Sequence, residues 1–154
     1  MGSLNLKSWL IFLLLSLLPT IELRGSIPYG IFYSFNPYLV LILAIIISSL
    51  VFFPIYYFLN LFYRRFSLPF WSIIEKTRTR GQKYVDRYGL LGLAIFVAIP
   101  FPGSGVWSGS ILAWLLGIRW YKAFISILIG NIIAGLIVFL ASLGFLSFPY
   151  FINV

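Results

Sequence analysis

The sequence contains no cysteine and no histidine, and only three of its residues are acidic. These absences exclude disulfide bonds, thiolate nucleophiles and imidazole bases, and they remove the usual zinc ligands. The serines have no histidine or cysteine to activate them, so no constellation of catalytic side chains remains. We therefore expect a protein that is not an enzyme and that holds neither a metal nor a cofactor.

Charge of either sign is scarce. Charged residues make up 9% of the chain and hydrophobic residues 62%, and the mean hydropathy is +1.05. Soluble domains are only about half apolar. The apolar runs recur along the whole length, so a cleaved signal peptide does not account for them. The 154 residues therefore predict one all-α integral membrane domain, residues 1–154, placed in the plasma membrane.

Two segments are long enough to cross a bilayer as single helices. Residues 38–63 carry no charge over 26 positions, and residues 121–145 are nearly as apolar. About 20 apolar helical residues span the ~30 Å hydrocarbon core, so both segments reach across it. Pro54 predicts a kink in the first of them.

Each long segment follows a pair of half-length apolar arms around a tip rich in proline and glycine. An arm of ten residues covers roughly 15 Å of helix, about half of the hydrocarbon core. The sequence therefore predicts two re-entrant hairpins. Their tips are residues 19–26 and the stretch "PFPGSG" at 100–105.

The order of hairpin and long helix occurs twice, with equivalent positions 81 residues apart, as at Pro19 and Pro100. We assign repeat 1 to residues 8–63 and repeat 2 to residues 89–146. The assignment follows hydropathy and the placement of helix breakers, because few residues are identical between the halves.

The connector, residues 64–88, holds seven of the eleven basic residues. Its apolar residues follow helical spacing and its charges occupy the other face, which predicts an amphipathic helix on the bilayer surface. In so apolar a chain, the net charge of +8 points to anionic lipid head groups as partners, not to nucleic acid.

Arg119 and Lys122 extend the basic side of the molecule if the second hairpin returns to where it began. The positive-inside rule then predicts a cytoplasmic connector with both termini outside. One crossing separates the two hairpins, so they enter from opposite sides and their tips meet near the midplane. This inverted arrangement of broken helices is the one from which transporters build substrate sites.

The first tip contains the charged pair Glu22 and Arg24. Each such charge costs roughly 2.5 to 3.5 kcal/mol at the bilayer centre, which favours a functional role. Two alternatives remain open: a neutralising pair, or a shallow hairpin with both residues at the interface. Residues two apart do not meet on a helix. An internal pair therefore requires a non-helical tip, which Pro19, Gly25 and Pro28 favour.

The second tip offers small residues and freed backbone amides instead of charge. Together with the start of the following helix near Val106, these amides form a surface that favours anions. The alternative is that the small residues only permit a tight turn and close helix packing. The candidate site residues of this tip are Pro100, Pro102, Gly103, Ser104, Gly105 and Trp107.

Trp107 faces either a cavity or lipid, and the sequence leaves both open. Asn131, about eleven residues into the second long segment, either touches substrate or makes an interhelical hydrogen bond. A chain with two long helices and two hairpins shields its polar tips poorly. We therefore expect a homodimer or larger assembly.

Two stretches carry a resemblance to a known family. "LLPTIELRGSIPYGI" near the N-terminus and "KYVDRYGLLGLAIFVAIPFPGSGVWSGSILAWLLGI" after the connector resemble the small multidrug export protein family, a relative of the DedA-type (VTT-domain) membrane proteins. The resemblance covers nearly the whole chain. It implies two inverted repeats of hairpin plus helix and, by similarity to the DedA relatives, proton-dependent movement of polyprenyl phosphate or phospholipid. The acidic and arginine residues of that mechanism correspond here only to Glu22 and Arg24, because a second acidic residue in the hairpin region is missing.

We therefore expect a proton-coupled membrane transporter of a small amphiphilic substrate. Glu22 exchanges a proton while Arg24 and the amides of the second tip hold an anionic head group. In a variant of this hypothesis Glu22 binds a cationic drug. The alternatives are a DedA-like flippase for polyprenyl phosphate or phospholipid, and a non-transporting scaffold that acts through residues 64–88.

Overall fold

The computed structural model describes residues 6–65, 72, 75, 76, 79, 88–101 and 103–152, and it describes the side chains of all of these except 64, 65 and 146–152. All regular elements in these ranges are helices. They are α1 (Leu6–Leu17), α2 (Glu22–Phe32), α3 (Pro37–Leu50), α4 (Phe52–Arg65), α5 (Leu90–Ala98), α6 (Val106–Leu115) and α7 (Trp120–Ile152). The amphipathic surface helix predicted for 64–88 lies largely outside the described residues.

The prediction of a helical membrane protein with two long apolar helices is confirmed. Helices α3 and α4 form the segment Pro37–Tyr63, and α7 contains the segment Trp120–Phe145. The first segment is interrupted at Val51, three residues before Pro54. Proline has no N–H to offer the carbonyl of Leu50, one turn earlier, and its ring crowds that carbonyl. The helix is therefore interrupted at the position where Pro54 was expected to kink it.

The two long segments run antiparallel. Near one end of the pair, the Tyr56 hydroxyl donates a hydrogen bond to the Ile118 carbonyl at 2.8 Å. Towards the other end, the rings of Tyr38 and Phe139 lie 6.1 Å apart. The end of α4 and the start of α7 therefore share one side of the molecule.

The half-length helices form two hairpins, α1 with α2 and α5 with α6. At the open end of the first, Trp9 stacks on Phe35 with ring centroids 4.4 Å apart. The second hairpin packs closely on α7: a Cβ at Gly130 would lie 2.4 Å from the Ala94 carbonyl oxygen. A side chain at position 130 would therefore force α5 and α7 apart.

Two clusters of buried apolar side chains lie along the molecule, and α7 contributes to both. The first, which joins α7 to α1, α2 and α3, includes Phe12, Leu23, Ile27, Val40 and Ala134. The second, which joins α7 to the remaining helices, includes Phe52, Leu93, Val97, Val106, Ala113 and Ile127. Helix α7 thus holds the two hairpins in one structure.

The predicted tip at 19–26 is too long. Helix α2 already begins at Glu22 and continues through Gly25 and Pro28. Burial of Leu23 and Ile27 outweighs the poor helix propensity of those two breakers. Only residues 18–21 remain between α1 and α2.

Candidate functional site

The two hairpin tips are joined by the carboxylate of Glu22. Its Oε2 accepts a hydrogen bond from the Val106 amide at 3.1 Å, and its Oε1 accepts one from the Trp107 amide, also at 3.1 Å. These are the first two amides of α6, which have no partner within their own helix. Glu22 therefore caps the N-terminus of a helix from the other hairpin and places negative charge where the helix dipole favours it.

The first turn of α2 is distorted in a way that brings its two charges together. Arg24 Nη1 donates to Glu22 Oε2 at 3.3 Å, although the two residues are only two apart. Glu22 has a φ of 45°, in the left-handed region that residues other than glycine rarely adopt. The sequence predicts that the two charges can pair only if the chain departs from helical geometry. The departure lies in the backbone of Glu22 itself, and the tip is not extended.

Arg24 binds the C-terminal end of α5, the helix that precedes the second tip. Its Nη2 donates to the carbonyl of Ile99 at 2.9 Å and also lies 3.4 Å from the carbonyl of Val97. These carbonyls belong to the last turn of α5 and the residue that follows it, where a helix leaves acceptors unpaired and attracts cations. One hairpin thus provides a carboxylate for the start of α6 and a guanidinium for the end of α5.

Ser104 and Gly105 shape the second tip around these charges. The Ser104 hydroxyl accepts a hydrogen bond from Arg24 Nη2 at 3.1 Å and lies 2.6 Å from the Ile99 carbonyl, to which it donates. At Gly105 a Cβ would lie 1.9 Å from Glu22 Oε2. Glycine is therefore required there for the carboxylate to reach the α6 amides.

The tip contact is closed. The side chain of Glu22 is 2% exposed, whereas that of Arg24 is 13% exposed. The Trp107 indole adds a second link between the hairpins, since its Nε1 donates to the Leu17 carbonyl at 3.2 Å. The indole nitrogen of Trp107 thus bonds the end of α1, and Trp107 does not line the cavity beside the tips. Arg24 is therefore the more accessible of the two charged groups.

A large apolar cavity lies beside the tips, between α2 and α7. Its volume is about 730 Å³. Pro28 and Pro100 line the side nearest the tips: Pro28 follows Arg24 by one helical turn, and Pro100 follows the carbonyl that Arg24 binds. The other lining residues are Tyr29, Phe32, Ile137, Val138, Ala141, Ser142 and Phe145. The volume falls within the ~300–1,000 Å³ of sites for drug-sized ligands.

The predicted site residues are only partly brought together. Gly25 lies inside α2 against Ile21, and Gly103 occupies the turn with a φ of +93° and open space around it. Pro102 lies outside the described residues. Asn131 bonds α3 instead of either tip: its Nδ2 donates to Ser48 Oγ at 2.9 Å and Ser49 Oγ at 2.8 Å. Its contacts are those of the interhelical hydrogen bond that the sequence left open.

The sequence did not indicate the carbonyls of Val97 and Ile99 or the cavity beside the tips. Backbone acceptors leave no mark in the residue types. The cavity depends on how α2 and α7 pack. The only available signal was the breaker at Pro100, which implies unpaired carbonyls in the turn before it.

Comparison with known families gives a match that includes residues of both hairpin tips. A family model described as "Putative small multi-drug export protein" matches residues 22–137. The match begins at Glu22 and includes both charges of the first tip and all of the second. Comparisons with curated proteins and with solved structures give no match. Because the family model covers three quarters of the sequence, the chain belongs to the small multi-drug export protein family.

Proposed function

We propose that the protein is a membrane transporter that moves small anionic amphiphiles together with a proton, with its substrate site where the two hairpin tips meet. The observation that carries this proposal is the position of Glu22. Its carboxylate occupies the two amides of α6 and one arm of Arg24. The carboxylate of Glu22 thus occupies the amides and the guanidinium that would bind an anionic substrate.

Charge balance links the proton to the substrate. A protonated Glu22 is neutral and no longer a strong acceptor, so the α6 amides and Arg24 become available to an outside anion. The site then contains one negative charge in either state, from Glu22 or from the substrate. Because an uncompensated charge in hydrocarbon is costly, this exchange allows the anion to enter only with a proton.

The cavity between α2 and α7 supports an amphiphilic substrate. It is lined mainly by apolar side chains, and its inner end lies beside Pro100, next to the carbonyl that Arg24 binds. An apolar tail in the cavity would place its head group near Arg24. A fully polar anion would gain little from such a lining.

The membrane placement that fits this function is the inverted repeat. The hairpin tips meet in the interior, and the open end of the first hairpin and the junction of the second with α7 lie towards opposite ends of the long helices. We therefore place both hairpins as re-entrant elements of repeats 8–63 and 89–146 in the plasma membrane. Relative movement of the repeats would open the tip contact to one side at a time.

The experiment uses proteoliposomes containing a fluorescent polyprenyl phosphate as the anionic probe and ethidium as a cationic probe, with and without a pH gradient. We expect the gradient to drive movement of the anionic probe. Glu22→Gln should abolish the dependence on the gradient, and Arg24→Ala should abolish movement of the anion. The matched control is Glu75→Gln, which neutralises an exposed carboxylate that accepts a bond from Tyr63.

A folded Glu22→Gln protein that still responds to the gradient would overturn the role of Glu22. Movement of ethidium but not of the anion, increased by Arg24→Ala, would support the cationic-drug alternative. If the folded parent moves neither probe, and if neutralising the connector residues Lys76, Arg78, Arg80 and Lys83 abolishes the activity of the protein in cells, the scaffold hypothesis replaces transport.

A further inference from the structure

A second cavity, separate from the tips, is walled by aromatic rings. It lies between the first half of α4 and the start of α7 and has a volume of about 230 Å³. Its lining residues are Phe52, Phe53, Tyr56, Tyr57, Asn60 and Trp120. We propose that this aromatic cage binds a quaternary ammonium group.

Several aromatic residues of the cage are held in place by contacts with one another and with residues outside it. The Tyr56 hydroxyl donates to the Ile118 carbonyl at 2.8 Å, and the Tyr56 ring stacks on Phe52 with centroids 5.2 Å apart. Asn60 Oδ1 accepts a hydrogen bond from Trp114 Nε1 at 2.9 Å. These contacts fix the position of the cage and therefore lower the cost of ordering it around a ligand.

The exposure of the lining residues increases from the base of the cage to its rim. Phe52, at its base, is 1% exposed, whereas Trp120 and Tyr57, at its rim, are 55% and 71% exposed. The rim rings can therefore be reached from outside. The faces of tryptophan and tyrosine rings carry negative potential, which attracts a cation placed over them.

The lining selects a methylated ammonium over a primary one. Among the residues that the structure describes, no acidic side chain lines the cage, so a primary ammonium would lose its hydration without gaining an ion pair there. A quaternary ammonium has no N–H to satisfy, and its methyl groups pack against the rings. The volume is below the ~300–1,000 Å³ of drug-sized sites, which fits a head group better than a whole drug.

The test measures choline binding to the intact protein in nanodiscs of phosphoglycerol lipid, followed by intrinsic fluorescence. The reference ligand is dimethylbutanol, the neutral carbon isostere of choline. We expect choline to bind at least about tenfold more tightly than the isostere, because only choline gains from the ring potentials. Trp120→Leu and Tyr57→Leu should each weaken choline binding several-fold, whereas Tyr57→Phe should retain it.

The control variant is Tyr38→Leu, which removes an exposed aromatic ring that lies beside Phe139, at the other end of the long helices. It should leave choline binding unchanged. Equal affinity for choline and its isostere would overturn the proposal and leave an ordinary apolar cavity. Choline binding that is indifferent to Trp120→Leu and Tyr57→Leu would also overturn it.

The same measurement in nanodiscs of phosphocholine lipid identifies the source of the ammonium group. Loss of free choline binding there means that the lipid head group occupies the cage. Unchanged binding means that the cage serves a soluble quaternary ammonium ion. Both results support the proposal and differ only in the ligand.

Discussion

The two hairpin tips use opposite chemistry to reach the same place. The first tip brings two charged side chains, Glu22 and Arg24, on one turn of α2. The second brings backbone groups: the amides that begin α6 and the carbonyls that end α5. A broken helix exposes both kinds of backbone group in hydrocarbon, where each needs a partner. The charged side chains of the first tip are therefore complementary to the unpaired backbone amides and carbonyls of the second.

The comparison also explains why α6 has no cap from its own residues. Its N-cap position is Gly105, whose missing side chain leaves space for the Glu22 carboxylate. A serine or aspartate at that position would cap the helix locally but displace Glu22. Capping between the two hairpins makes the integrity of the second tip depend on the protonation and position of a group in the first.

The strongest way to break this complementarity is Arg24→Ala. The substitution leaves the buried Glu22 carboxylate without its counter-charge and removes one of the donors to the Ile99 carbonyl. We expect the free energy of unfolding to fall by about 3–5 kcal/mol, measured by detergent-induced unfolding in mixed micelles. Adding Glu22→Gln should recover a large part of the loss. A double variant as unstable as the sum of the two single variants would show that the pair is not coupled.

The steric half of the comparison is tested by Gly105→Ala. The new Cβ would overlap the Glu22 carboxylate and push it from the α6 amides, at a cost of about 1–3 kcal/mol in unfolding free energy. Gly92→Ala is the control, since nothing lies within 4 Å of a Cβ there and alanine favours a helix. Equal effects of the two substitutions would contradict the close approach at Gly105.

A smaller effect is expected from Ser104→Ala. The substitution removes one acceptor of Arg24 and the bond to Ile99 but leaves both charges in place. We expect a loss of about 1 kcal/mol in unfolding free energy. Ser108→Ala is a suitable comparison, because the Ser108 hydroxyl bonds only its own helix start at Gly105. A loss for Ser104→Ala as large as that for Arg24→Ala would show that the hydroxyl, and not the ion pair, contributes most of the stability of the contact.

The smallest effect is expected away from the tips, at Asn131→Ala. This substitution removes the bonds to Ser48 and Ser49 between α3 and α7. It also removes a buried Oδ1 that has no hydrogen-bond partner. Interhelical hydrogen bonds in membranes contribute about 0.6 kcal/mol on average, so a loss of that size is expected. A loss of several kcal/mol would place Asn131 alongside the tips in importance.

The sequence predicted the helical elements better than their contacts. The long helices follow from unbroken apolar runs, and the hairpin arms follow from runs that stop at Pro19 and Pro100. The contact between Glu22 and α6 joins residues 84 apart in sequence, and no local pattern encodes such a pairing. The helical start of α2 was missed because burial of Leu23 and Ile27 outweighed the breakers around them.

The most direct measurement tests whether the tip contact must open for transport. The chain contains no cysteine, so Leu17→Cys with Trp107→Cys, at positions whose groups now touch, can be joined by a short reducible thiol cross-linker. The single-cysteine variants treated in the same way are the controls. We predict that cross-linking stops gradient-driven movement of the fluorescent polyprenyl phosphate and that reduction restores it. Cross-linked protein that transports as fast as reduced protein would contradict a substrate site between the tips.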